Sequence, residues 1–96
     1  MPIQSSQVAA IGATTPIDAG VGNTFGHFAM KLSGPVDAVA HLQTSPDVLA
    51  WTDADVATGP NWAVAGLNVR ARAIRANVTA LGTGGAPVGV VVSASP

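Results

Sequence analysis

Apolar residues recur along this chain in short runs, broken at close intervals by glycine and proline. Eleven Gly and seven Pro are spread from Pro2 to Pro96, so most uninterrupted segments are too short for ordinary helices and suit strands. The runs between them are rich in β-branched residues, thirteen of them valine, whose stiff side chains fit a pleated surface. The pattern predicts strands at 7–13, 25–32, 36–44, 48–52, 62–64, 67–76, 77–81 and 88–93. Within 36–44, Ala38, Ala40 and Leu42 alternate with Asp37, Val39, His41 and Gln43, the signature of a half-buried strand. The last run, Val88-Gly89-Val90-Val91-Val92, is apolar on both faces, as in a central strand or one covered by a neighbouring subunit. Gly82-Thr83-Gly84-Gly85 before it reads as a turn.

Two segments admit more than one reading. Over 68–81, Leu67, Ile74, Val78 and Leu81 could share a helical stripe; strand is the favoured reading and helix its alternative. As a strand, it sets Arg70, Arg72 and Ile74 on one face, and Ala71, Ala73 and Arg75 on the other. The first 24 residues hold one charge, Asp18, and no aromatic residue. They read either as an extended N-terminal arm or as a plain first strand with a loop. An arm would offer Ile3, Val8 and Ile11 to a neighbour's sheet edge, and the sandwich would then survive removal of 1–13. The expectation is an all-β, antiparallel β-sandwich over 25–96 behind this segment.

Composition changes the picture mainly at the surface. Ninety-six residues make one domain with one core, and 18 of the apolar residues are alanine, so that core is modest. Charged residues are 9% of the chain, with no glutamate and a single lysine, Lys31, against about 25% in ordinary domains. So neutral an exterior points to assembly with other protein. A net charge of −1 removes the drive for non-specific nucleic-acid binding. No cysteine is present, which excludes disulfides and thiolate chemistry. The start, Met1-Pro2-Ile3-Gln4-Ser5-Ser6, lacks the basic and apolar regions of a signal peptide, so synthesis in the cytoplasm is expected. No apolar run approaches the ~20 residues of a membrane helix, and no membrane partner is expected.

Few residues carry chemistry. His27 and His41 stand at none of the short spacings that place two imidazoles on one metal, and no Gly-x-Ser-x-Gly elbow occurs. No catalytic residue, metal site or cofactor is expected. The polar stretch 52–61 carries Asp53 and Asp55. It lacks the further acidic residues and turn glycine of a helix-loop-helix calcium site and reads as a solvated hairpin loop. Trp51 and Trp62 flank it, and the favoured reading makes both core anchors. The alternative groups Trp51, Asp53, Asp55 and Trp62 into a ligand loop for a sugar or peptide. Arg70, Arg72 and Arg75 could pair with carboxylates of a partner protein.

The stretch from Ala40-His41-Leu42-Gln43-Thr44-Ser45-Pro46-Asp47 to Trp51 resembles a pattern of small bacteriophage virion proteins, in which a hydrophobic-x-Leu-Gln-x-Ser-x-Asp strand turns and Trp begins the next. Gly66-Leu67-Asn68-Val69-Arg70-Ala71 is similar to that pattern's Gly-x-x-Val-Arg-Ala strand, and Val88 to Ala94 to its closing valine-rich strand. Val48-Leu49-Ala50 stands where the pattern has a glycine-rich turn. The resemblance implies a jelly-roll-like sandwich, often a homotrimer. It would be a capsid decoration or cement protein located in the virion, bound to the major capsid protein or another virion protein. Two other roles stay open, a carbohydrate- or receptor-binding module and a structural subunit of the tail or neck.

Overall fold

A computed structural model of the chain describes residues 3–8, 11–33, 37–59, 61–65, 71–83 and 88–95. Among these there are nine strands and no helix: β1 (Ile3–Val8), β2 (Gly12–Ala13), β3 (Ile17–Asp18), β4 (His27–Ser33), β5 (Val39–Ser45), β6 (Thr52–Thr58), β7 (Asn61–Ala65), β8 (Ala73–Ala80) and β9 (Val88–Ser95). They form two antiparallel sheets. The first runs β1-β9-β4-β7, and the second runs β2-β8-β5-β6 with β3 also on β8. The all-β, antiparallel, two-sheet expectation is what the structure shows.

The pairing is nested. β5 pairs with β6, β4 with β7, β2 and β3 with β8, and β1 with β9, so the chain lies as one long folded-back ribbon whose rungs alternate between sheets. Two further pairings, β4 with β9 and β5 with β8, stitch each sheet through its centre.

Alternation builds the core. Phe28, Met30 and Leu32 of β4 and Val88, Val90, Val92 and Ala94 of β9 turn inward from the first sheet. Ala40 and Leu42 of β5, Ala57 of β6, and Ile74, Ala76 and Val78 of β8 meet them from the second. Each fully buried Leu, Ile, Val or Met contributes roughly 1.5–3 kcal/mol of apolar transfer free energy. The valine-rich β9 is flanked by β1 and β4, the central position that accounts for its apolar character.

Several boundaries differ from the sequence reading, each for a local reason. The predicted strand at 7–13 is divided between sheets: β1 ends at Val8, and β2 resumes on β8 after an exposed Ile11 and a Gly12 at φ +146°. Of the two readings of the N-terminal segment, the geometry is the first strand. Ile3–Val8 lies along the chain's own β9 in six consecutive pairs, and Thr14 exchanges hydrogen bonds with Ala76, its N–H donating to the Ala76 carbonyl (2.8 Å) and its Oγ1 accepting from the Ala76 N–H (3.1 Å). Ile3–Val8 thus belongs to one sheet and Gly12–Ala13 to the other, against the expectation that the segment is dispensable for folding.

The predicted strand at 48–52 is a bent loop, and ordered pairing starts at Thr52. The stretch read as a hairpin loop is instead β6, an edge strand whose side chains are exposed except at Ala57. The two strands expected at 67–76 and 77–81 are one, β8; residues 67–70 of that prediction lie outside the described residues. Ile74 does not share a face with Arg72, because the chain bends at Arg72 and Ile74 enters the core while Arg72 stays at the surface.

Candidate binding face on the second sheet

Charge is scarce in this chain, and much of it fixes loops. The Asp18 carboxylate accepts from Arg72 on both oxygens, Nε to Oδ1 at 2.9 Å and Nη2 to Oδ2 at 3.0 Å, and from the Gly20 N–H at 2.8 Å. The Arg72 hydrogen bond, then that of Gly20, holds the Asp18 carboxyl below its ordinary range, while Asp18 raises Arg72. This brace fixes the turn Gly20-Val21-Gly22-Asn23, closed by the Asn23 N–H on the Gly20 carbonyl at 3.0 Å. Its third residue, Gly22 at φ +81°, has the left-handed conformation that glycine adopts without strain. Val21 stands at the tip, 82% exposed.

A second brace holds the loop between β5 and β6. Asp47 Oδ1 accepts from the N–H groups of Leu49 and Ala50, both at 2.9 Å, and from the buried Ser45 hydroxyl at 3.1 Å. Those two main-chain bonds come first among the causes that lower the Asp47 carboxyl. They also take Leu49 and Ala50 out of any sheet ladder, which is why the expected strand there does not form. Val48 sits at φ +65° and Leu49 is 85% exposed. Ser45 and Asp18 both pair with Ala73, so the two braced turns flank the same end of the sandwich. At the opposite end, Asp37 accepts from the Thr83 N–H at 3.0 Å.

The outer face of the second sheet carries a linked set of polar side chains. Gln43 lies opposite both Arg75 and Asp53, and His41 lies opposite both Asn77 and Val56; directly opposed residues share a face. Arg75 Nε donates to Gln43 Oε1 at 2.8 Å, Gln43 Nε2 donates to Asp53 Oδ1 at 2.9 Å, and His41 Nδ1 lies 3.3 Å from Asp53 Oδ2. The Arg75 guanidinium carbon is 4.2 Å from the centroid of the Trp51 ring, a cation–π contact. Trp51, Arg75, Gln43, Asp53 and His41 thus form one chain of contacts across β8, β5 and β6.

Of the residues singled out from sequence, the structure brings together Trp51, Arg75 and Asp53. Trp51 is half-buried and stacked on arginine, where a core position was favoured. Trp62 stands in β7 of the other sheet, opposite Lys31, so the two tryptophans flank no common loop. The register shift at Leu42/Gln43 puts Asp55 opposite the inward Leu42 and Asp53 opposite the outward Gln43, and the two carboxylates therefore turn to different faces. Arg72 is committed to Asp18, and Arg70 lies outside the described residues. Val8 packs against the core, Ile11 is 66% exposed, and Ile3 is placed as the start of β1. His41 stands out in the sequence only as a candidate metal ligand, and Gln43 and Asn77 not at all; the membership of all three follows from strand register. Among the described residues no three His, Cys, Asp or Glu side chains gather in a way that could hold a metal ion. Comparison with known protein families, with curated proteins and with solved structures gave no match.

Proposed function

We propose that this chain is a non-catalytic structural subunit of the virion decoration type, a homo-oligomer with a trimer favoured, that seats on the outside of a phage capsid and stabilises it. The carrying observation is the end of the sandwich at which Val21 and Leu49 are held out into solvent on turns fixed by Asp18, Arg72 and Asp47. Fixed apolar tips lose little conformational entropy on docking, and a surface this poor in charge does not repel a protein partner. The nested strand order, β1-β9-β4-β7 and β2-β8-β5-β6, supports the reading, because it is compatible with a jelly-roll-like sandwich, an architecture common in capsid and lectin domains. Repetition over many shell sites gives avidity without any single strong contact.

The test is binding of the purified chain to shells lacking it, with Val21→Asp and Leu49→Asp combined as the variant. Retained melting temperature with lost occupancy is the expected result, and wild-type binding should survive moderate salt because few ion pairs are available to screen. A monodisperse monomer that ignores shells, or attachment abolished by modest salt, counts against the proposal.

A further inference from the structure

Arg75 and Arg72 are built differently, and the difference points to a ligand. Arg72 spends its fork on the chain's own carboxylate, Asp18. Arg75 gives only Nε, to Gln43, and lays its flat face on Trp51. Among the described residues no carboxylate pairs with it, and its two Nη groups donate to no acceptor. A guanidinium immobilised on one edge and one face, with the other edge open, is pre-organised for a bidentate acceptor. Around it stand planar hydrogen-bonding groups fixed by strand register: the Gln43 amide, the Asn77 amide opposite His41, His41 itself, and the Asp53 carboxylate. The apolar side chains on that face are Val56, 49% exposed, and the half-buried Val39, with Trp51 stacked on the guanidinium. Protein-docking patches centre on apolar and aromatic anchors. This face offers mixed donors and acceptors, which suits ring hydroxyls.

We infer that the outer face of β8, β5 and β6 binds an acidic sugar, its carboxylate held by the Arg75 Nη groups and its hydroxyls by Gln43, Asn77 and Asp53. The site uses side chains other than Val21 and Leu49, so its test reads sugar binding independently of capsid binding.

The experiment is an NMR titration of the isotope-labelled full chain with sodium glucuronate, and in parallel with glucose and with sodium acetate. Glucuronate should shift the Arg75 Nε–H and the Gln43 and Asn77 side-chain amides saturably while the Arg72 Nε–H stays in place. Glucose, which lacks the carboxylate, and acetate, which lacks the hydroxyls, should each bind at least about tenfold more weakly. Arg75→Lys keeps the charge and loses the fork, and should weaken glucuronate by about the same factor; its backbone spectrum reports whether it is folded, and the wild-type shifts stand without it. An unmoved Arg75 signal overturns the site, as does glucose binding as tightly as glucuronate or a folded Arg75→Lys variant that binds equally well. Acetate matching glucuronate overturns the sugar and leaves a bare carboxylate site.

Discussion

Replacing Val48 by glycine should stabilise this protein relative to replacing it by alanine, the reverse of the usual order. Val48 has φ +65° in the loop held by Asp47, and a left-handed backbone costs an L-residue roughly 1–2 kcal/mol because Cβ crowds the following carbonyl. Alanine at 48 keeps that penalty and glycine removes it. Against this, glycine raises the entropy of the unfolded chain, costing about 0.5–1 kcal/mol relative to alanine. The difference leaves Val48→Gly more stable than Val48→Ala by up to about 1.5 kcal/mol, at roughly 4–8 °C in melting temperature per kcal/mol for a domain of this size. Both variants lose the half-buried isopropyl group, so that loss cancels in the comparison. The same pair of substitutions at Val56, an exposed position within β6, supplies the control, and there alanine should be the more stable. Thermal and urea denaturation of the four variants decide the matter. Alanine above glycine at both positions would show that residue 48 is not left-handed in solution.

Leu42→Ala empties a fully buried position facing the first sheet and should cost about 2–5 kcal/mol, whereas the same change at the exposed Leu49 should stay within about 0.5 kcal/mol by urea denaturation. The carboxyls of Asp18 and Asp47 are lower in the folded protein than in the unfolded chain, so their contribution is complete above the unfolded value, about pH 4, and is lost as pH falls through the folded values. Melting followed from neutral to acid pH should therefore hold steady and then decline below about pH 4, with a shallower decline in Asp18→Asn and Asp47→Asn. Deleting residues 1–13 removes one of the two partners of β9 and part of the edge along β8; circular dichroism should report a large drop in melting temperature or no folded state.

What could be read from sequence divides along the line between alternation and register. Ala38, Ala40 and Leu42 announce their common face because an inward side chain beside an outward one leaves a period of two in the sequence. The valine run of β9 announces a central strand in the same way. β6 does not, because an edge strand of Thr, Asp and Ala buries almost nothing and so has the composition of a loop. The reverse holds at Val48 and Leu49, apolar residues that look like a strand but are bent out by the Asp47 carboxylate. The candidate face was legible only in part. Trp51, Asp53 and Arg75 stand out as residue types, but Gln43 joins them because β5 lies between β6 and β8 in one particular register. The Asp18–Arg72 pair, far apart in the chain, leaves no local trace at all.

The nested pairing also dictates when the molecule can become itself. Each successive rung, from β5 with β6 outward to β1 with β9, closes a longer loop, and loop-closure entropy rises with each. Long-range closure of this kind slows folding. The order has a sharper consequence during synthesis. β8 and β9, the last two strands in the sequence, are each one of the interior strands of a sheet, so a nascent chain stopped before them holds β1, β2 and β3 without their ladder partners. The N-terminal strands thus wait for the C-terminal strands that divide them between the two layers.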